Sequence, residues 1–347
     1  MPPKMKTILV YEFLSAGGLA GEPAEAELMP LGVSMRDAMA RDLLQLGAEH
    51  VGHVTLADCS AAPADALRQA LADEGGTDAR LHSQRARAGQ SPLDFLAEQA
   101  ALHDHVWVVA PETAGLLQQC QAAVGDTRWL GSDAQALRIA ASKTQTLARL
   151  AARGVTTPLD FAGPGQAQRW VVKPDDGAGA VDTRVFDDLA AARADAQRRQ
   201  DAGQAVTLQP WVEGKAMSLS MMCGTRGRGG LPQAELLSLN RQRIGVAADG
   251  QVRFDGVHRI STDPADPRWP QLQALADTVL QALPGLRGFV GIDLVCHPQR
   301  GPVVIEVNAR VSCAYVGLSV ALGRNLAALT LGLRSRRANH GAVHVGR

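Results

Sequence analysis

The chain has 347 residues, 46% of them hydrophobic, and 35 Lys+Arg balance 35 Asp+Glu to a formal net charge of zero. That is the profile of a soluble globular protein with room for two or three domains, and it argues against nucleic acid or an anionic membrane as the main partner. No apolar stretch reaches the roughly 18 residues of a spanning helix, and the opening MPPKMKTILVYEFL reads as a strand rather than a signal peptide, so a cytoplasmic protein is expected.

Residues 7–14 form the first buried strand, broken by Ser15-Ala16-Gly17-Gly18. Gly17, Gly18 and Gly21 do not have GxGxxG spacing, and Glu22-Pro23 stands where a helix should open, so this is not a dinucleotide fingerprint. Ser34 is expected to cap a helix through Leu46, closed by Gly47. A strand over 51–56, a helix over 61–71 and a polar connection over 73–89 follow. Ser91 then caps a helix over 92–102 with Pro92 at its first position, and a buried strand over 105–110 leads into a helix ending near Ala123. Strands alternating with helices predict a small Rossmann-like α/β unit, a parallel sheet covered on both faces. Ligands of such sheets bind beyond the carboxyl ends of the strands. That puts Glu12, Ser15, Gly17 and Gly18 at one edge and Pro111, Glu112 and Thr113 at another.

Trp129 opens a second unit of α+β character. Ser132 is expected to cap one long helix over 133–153 that carries Lys143 and ends at Gly154. The strand over 169–173, RWVVK, runs into PDDGAGAVDTR, where Gly177 and Gly179 let backbone amides approach a phosphate and Lys173 adds a positive charge. Lysine is rare: only Lys4, Lys6, Lys143, Lys173 and Lys215 occur. A compact ammonium that follows a moving phosphate is not replaced by guanidinium without loss. A helix over 187–202 and a strand over 205–211 precede the connector QPWVEG from Gln209, whose backbone edges and flat apolar side chains suit adenine. A strand pair over 217–223 and 235–239 surrounds a GTRGRGG tip. Asn240, Arg241 and Arg243 follow, the arginines as contacts for an anionic substrate or a phosphate, then a polar loop with Asp255 and His258.

After a helix over 267–283, two strands over 289–296 and 303–307 are joined by a short turn. Glu306 and Asn308 are two apart and share a face, and antiparallel pairing brings Asp293 onto that face. Three oxygen-bearing side chains among Ile292, Leu294, Val304, Ile305 and Val307 suit Mg²⁺, which takes one or two carboxylates and completes its shell with phosphate and water. Arg310 stands ready for further phosphate charge. A closing helix is expected to about Gly332, then a disordered basic tail. The five cysteines, Cys59, Cys120, Cys223, Cys296 and Cys313, are widely spaced without a CxxC pair, which points to a reducing compartment and away from zinc; Cys313 reads as a packing residue.

In order, Lys143, VVKPDDGAGA, LQPWVEG, GIDLV and IEVNAR resemble the ATP-grasp family of carboxylate–amine ligases from residue 130 to about 333. The resemblance implies a pre-ATP-grasp domain over 1–128 and a two-subdomain ATP-grasp fold over 129–333, with a cap at about 142–212, a carboxyl-terminal subdomain at about 213–333, and a tail over 334–347. It also implies that Lys143 and Lys173, with Gly177 and Gly179, hold the ATP phosphates. Gln209, Pro210, Trp211 and Val212 would hold adenine, and Glu213 the ribose in place of a glutamate that appears here as Ala216. Asp293, Glu306 and Asn308 would bind two Mg²⁺, with Mn²⁺ as a substitute, and Arg310 with Lys173 would act on the transferred group. Glu12, Ser15, Gly17, Gly18, Asn240, Arg241 and Ser312 are the implied substrate contacts.

Within the family, YEFLSAGG, LNRQRI and NARVSCAYVGL are most similar to tyramine–glutamate ligases of methanofuran biosynthesis. That implies an amine and a carboxylate as small-molecule partners, no nucleic acid or membrane, and leaves room for a homodimer. Gly291 replaces the arginine that peptide-type ligases carry two residues before the first metal acid. The alternatives are a ligase of other amino acids or peptides, and an ATP-binding regulator without turnover.

Overall fold

The computed structural model describes residues 5–18, 25–74, 79–163, 165–177, 179–226 and 232–333. The first unit alternates β1 (Lys6–Glu12), α1 (Glu25–Leu44), β2 (Val51–Ala57), α2 (Asp65–Asp73), β3 (Leu81–Gln84), α3 (Pro92–Leu102), β4 (His105–Val109) and α4 (Leu116–Val124). Its strands form one parallel sheet in the order β3-β2-β1-β4. Strands β1 and β4 are apolar on both faces, from Ile8 to Tyr11 and from Val106 to Val109, and both runs are buried, as a sheet covered by helices requires.

Two readings of this unit are corrected. Ser34 caps nothing: α1 starts at Glu25 and carries Pro30, and the Ser34 hydroxyl donates to the Pro30 carbonyl at 2.7 Å from mid-helix. The supposed polar connection contains β3, whose single buried apolar residue is Leu81. Such an edge strand takes its order from β2, not from its own sequence.

The second unit opens with α5 (Ala134–Ala141) and α6 (Lys143–Ala151), then β5 (Trp170–Pro174), β6 (Arg184–Phe186), α7 (Leu189–Asp201) and β7 (Val206–Pro210). Strands β6-β5-β7 form a small antiparallel sheet, with Val172 packed on Ala192 and Ala196 of α7. Next come β8 (Lys215–Arg226), β9 (Pro232–Val246), β10 (Val252–Ser261), α8 (Trp269–Ala282), β11 (Gly288–His297) and β12 (Gly301–Asn308). These five strands make an antiparallel sheet in the order β10-β9-β8-β11-β12.

The single long helix expected over 133–153 is broken. Ser142 is extended (φ −96°, ψ 111°); it ends α5, and its side chain accepts from the Gln145 amide to cap α6. Asp133, not Ser132, caps α5, accepting from the Ala136 amide at 2.8 Å. The polar loop expected around Asp255 and His258 is β10. The closing helix is two short ones, α9 (Leu318–Leu322) and α10 (Leu326–Thr330), parted at Gly323, whose φ of 59° suits glycine. The tail over 334–347 lies outside the described residues.

The carboxyl-terminal segment is docked on the first unit. The Asp42 carboxylate of α1 accepts from the hydroxyls of Tyr315 and Ser319, each at 2.5 Å, and Asn325 donates to the Asp42 carbonyl at 2.7 Å. The Tyr315 ring meets Trp107 and Phe289 edge-on at 5.7 and 5.3 Å. This docking brings the end of β12 beside the carboxyl end of β4. Among the described residues, no helix is long and apolar enough to cross a membrane.

Candidate active site

Asp293 and Glu306 are direct cross-strand partners on β11 and β12, so their carboxylates share one face. Asn308 pairs with Gly291, one alternation along the same face, and donates to Asp293 at 3.1 Å. Gln242 reaches over from β9 and donates to the other Asp293 oxygen at 2.9 Å. Burial first, then the nearby Glu306 charge, pushes the Asp293 carboxyl up to about 7, against the pull of both hydrogen bonds.

Two ammonium groups face these acids. The break at Ser142 makes Lys143 the first residue of α6, with its amide donating to the Asp175 carbonyl at 2.9 Å. Its Nζ lies 3.3 Å from Glu306 Oε1 and also donates to the Gly177 carbonyl at 3.1 Å. Lys173 ends the β5 run on the strand face turned away from α7, and burial pulls it down to about 8; the Glu306 charge opposes this and Lys143 adds to it.

The loop beyond Lys173 is rooted on α6. The Asp175 carboxylate accepts from the hydroxyls of Ser142, Thr144 and Thr207 and from the Thr144 amide. Burial would raise this carboxyl, but those four hydrogen bonds outweigh it and hold it below the usual range. Asp176 accepts from the Ala114 amide of the first unit at 2.8 Å. Gly177 sits at φ 98°, and a Cβ there would stand 3.1 Å from Thr113 Oγ1, so the loop passes close under the first unit.

Arg310 is gripped from that same side. Its Nε and Nη2 donate to the two Glu112 oxygens at 2.9 Å each, and Nη1 donates to the Val311 carbonyl at 3.2 Å. Glu112 is buried and Arg310 only slightly exposed, and the bridge spans the two units. Three of the five guanidinium N–H groups are thereby engaged and two remain for an anion. On the adenine side, Gln209 is buried and its Oε1 has no donor, an acceptor that a ligand amine would satisfy. Glu213 instead pairs with Arg169 (2.9 Å from Nε), which lies over the Trp211 ring.

The implied substrate contacts divide. Asn240 is buried on the acid-bearing face, donating to the Ser220 hydroxyl at 3.2 Å, and Ser312 stands beside Gly291. Arg241 is exposed on the opposite face of β9. Glu12 and Ser15 are enclosed: the Glu12 carboxylate accepts from the Leu14 and Ser15 amides, and Gly32 of α1 presses against it. Gly17 and Gly18 complete that turn, Gly17 at φ 91°. The thiol of Cys313, pushed up by burial, is no ready nucleophile. Gln242, and the pairing of Glu112 with Arg310, were not anticipated. The alternation of LNRQRIGV, which puts Gln242 in phase with Asn240, is the signal that could have found the first.

Paired acids opposite paired ammonium groups fit a metal–polyphosphate ligand: a cation would relieve the Asp293–Glu306 repulsion, and phosphates the crowding of Lys143 and Lys173. Among the described residues no three His, Cys, Asp or Glu side chains form a closed metal cage. A cation here would therefore complete its shell with Asn308, phosphate and water.

The comparisons with known proteins agree with this architecture. The family described as "ATP-grasp domain" matches residues 140–314, half of the chain, and the "pre ATP-grasp 3 domain" matches residues 66–137. A structure from Archaeoglobus fulgidus assigned to the ATP-grasp superfamily aligns with TM-score 0.65 at 19% identity, covering 96% of this chain and 90% of its own. VanG D-Ala:D-Ser ligase from Enterococcus faecalis aligns with TM-score 0.62 at 11% identity, over 95% and 99%. L-amino acid ligase from Bacillus licheniformis aligns with TM-score 0.57 at 14% identity, over 96% and 75%. At these identities the likeness is one of fold. No curated protein matches the sequence. Taken with the parallel sheet, the small lid sheet and the acid-bearing hairpin, the family match shows that this chain belongs to the ATP-grasp family.

Proposed function

We propose that the protein is an ATP-dependent, ADP-forming carbon–nitrogen ligase that joins a carboxylate to an amine through an acyl phosphate. The observation that carries this reading is the approach of Lys143 to Glu306 at 3.3 Å, with Lys173 and Asp293 in the same cluster. In this reading residues 1–128 are the pre-ATP-grasp domain and 129–333 the ATP-grasp domain. Lys143, Lys173 and the loop at Gly177 and Gly179 hold the ATP phosphates, and Gln209 to Val212 hold adenine. Asp293, Glu306 and Asn308 hold Mg²⁺, which supplies charge neutralisation when bound.

The carboxylate oxygen of the substrate attacks the γ-phosphorus and the bond to ADP breaks. The amine nitrogen then attacks the acyl carbon, phosphate leaves, and the amine proton passes to solvent. Such transfer asks the protein for positioning and charge stabilisation, the task of Lys173 and of the two free Arg310 N–H groups. Glutamate as carboxylate and tyramine as amine form the narrower proposal, supported by the likeness of YEFLSAGG, LNRQRI and NARVSCAYVGL to methanofuran-type ligases.

The test is ADP release from ATP and Mg²⁺ with glutamate and a panel of amines that includes tyramine. Release that needs both a carboxylate and an amine is expected; release that needs neither, or none with any pair, sinks the ligase reading. Activity with another amine but not tyramine removes only the narrow assignment. Lys173→Ala should lower turnover by about 10²–10³-fold with an unchanged far-ultraviolet spectrum.

A further inference from the structure

Three consecutive residues of the first unit touch both halves of the site. Beyond the end of β4 the chain passes through Glu112, Thr113 and Ala114 before α4 opens. The Glu112 carboxylate takes Nε and Nη2 of Arg310, which follows β12. The Ala114 amide donates to Asp176 Oδ2 at 2.8 Å, on the glycine-rich loop that follows β5. Between these two, a Cβ at Gly177 would stand 3.1 Å from the Thr113 hydroxyl oxygen, so loop and turn approach closely there.

The turn is tight. The Gly115 amide closes it on the Glu112 carbonyl at 3.1 Å, and Ala114 sits at φ 52°, ψ 27°, a left-handed conformation that alanine rarely takes. Among the described residues only Asp182 shares this feature outside glycine. Such a backbone persists where its surroundings require it, and here the strained residue is the one whose amide holds Asp176.

The same limb of the loop reaches Lys143, whose Nζ donates to the carbonyls of Asp176 and Gly177 at 3.4 and 3.1 Å. Asp175 and Asp176 are neighbours that bind in opposite directions. Asp175 accepts from Ser142 and Thr144 of the α6 start, and Asp176 accepts from the first unit. Asp175 cannot register the loop against Arg310, because the hydrogen bonds of Arg310 go to Glu112 and to its own neighbour Val311. The path from loop to Arg310 therefore runs through residues 112–114. The Ala114–Asp176 bond lies at the surface and contributes modestly to stability, so its loss should show in alignment before it shows in folding.

We propose that Asp176 is a positioning residue, which by its bond to Ala114 sets the glycine-rich loop in register with Arg310 across the shared turn. This rests on the ligase reading above and adds a requirement to it: the transferred phosphoryl group has to meet the loop and Arg310 at once. Without the bond both supports remain, but each is free to shift against the other. Water then reaches the acyl phosphate before the amine does. It attacks, phosphate leaves and the carboxylate is regenerated, so ATP is consumed without an amide.

Two measurements test this, the first with a carboxylate and an amine that the wild-type protein joins. Asp176→Ala should slow amide formation about ten- to a hundredfold and lower the ratio of amide to ADP, with the KM for ATP little changed. Asp176→Asn, which keeps an oxygen for the Ala114 amide, should restore the ratio. A merely structural Asp176 would lower the melting temperature and leave the ratio as it is. Independently of turnover, hydrogen exchange at the Ala114 amide should be faster in D176A than in the wild type or D176N. A wild-type ratio in D176A, unchanged exchange at Ala114, or D176N as uncoupled as D176A overturns the proposal. So does a D176A protein that no longer folds. These outcomes leave the ligase reading standing; a wild-type protein that forms no amide with any pair overturns both together.

Discussion

Two ends of one sheet face treat positive charge in opposite ways. At the β12 end two of the three cations are paired with acids: Lys143 meets Glu306 at 3.3 Å, and Arg310 meets Glu112 through two bonds of 2.9 Å. At the β10 end the partly exposed Arg259 donates to the Val316 carbonyl and has no carboxylate partner among the described residues. A multiply charged ligand can be exchanged at the first end because ions of both signs already stand there and need only be re-paired. The second end is partly open to solvent, which screens the Arg259 charge.

Glu112→Ala would leave Arg310 without its carboxylate partner in a largely desolvated place, and it should have the largest effect. Unfolding by denaturant should show a loss of about 3–5 kcal/mol, most of it recovered when Arg310→Met is added. A loss below about 1 kcal/mol would mean the bridge is open to solvent in solution.

Asp293→Asn acts next, and its sign depends on pH. The folded-state carboxyl titrates at about 7, above the roughly 3.9 of an unfolded aspartate, so the metal-free fold favours the protonated form and loses stability as pH rises from about 4 to about 7. The neutral amide should therefore stabilise the metal-free protein at pH 8, by about 1–3 kcal/mol, and have little effect near pH 4. Mg²⁺-dependent ADP release should fall in the same variant. Thermal melts with chelator at both pH values check the first part; equal shifts at the two would contradict the burial argument.

Ser142→Ala should have the smallest effect. It removes the cap of α6 and one hydrogen bond to Asp175, costing about 1 kcal/mol. Because Lys143 follows directly, nucleotide binding should weaken severalfold. An unchanged affinity would show that backbone pairing to Asp175 alone sets the Lys143 position.

Local patterns were the most legible. The parallel sheet could be read from unbroken apolar runs, and the Ser91 cap from Pro92 at the first helical position that follows it. Errors fell where a residue has two local uses. Ser34 and Ser142 look alike in sequence, yet one bonds back within a helix and the other starts one. Arg241, expected to meet an anionic substrate, is exposed on the face of β9 opposite the acid pair, because the strand continues past Asn240 with strict alternation. Glu12 was placed at an open edge, whereas the turn it begins closes on its own carboxylate.

By itself the sequence determined the geometry of the hairpin that carries Asp293, Glu306 and Asn308. A two-residue period and a short turn leave few registers that keep Ile292 and Val307 buried. Only the tertiary structure decided the partners that lie far apart in the chain: Glu112 for Arg310, Gln242 for Asp293, and the Val316 carbonyl for Arg259. Those outcomes depend on which strands become neighbours and how the units dock, and burial, not sequence spacing, then sets what each charge costs.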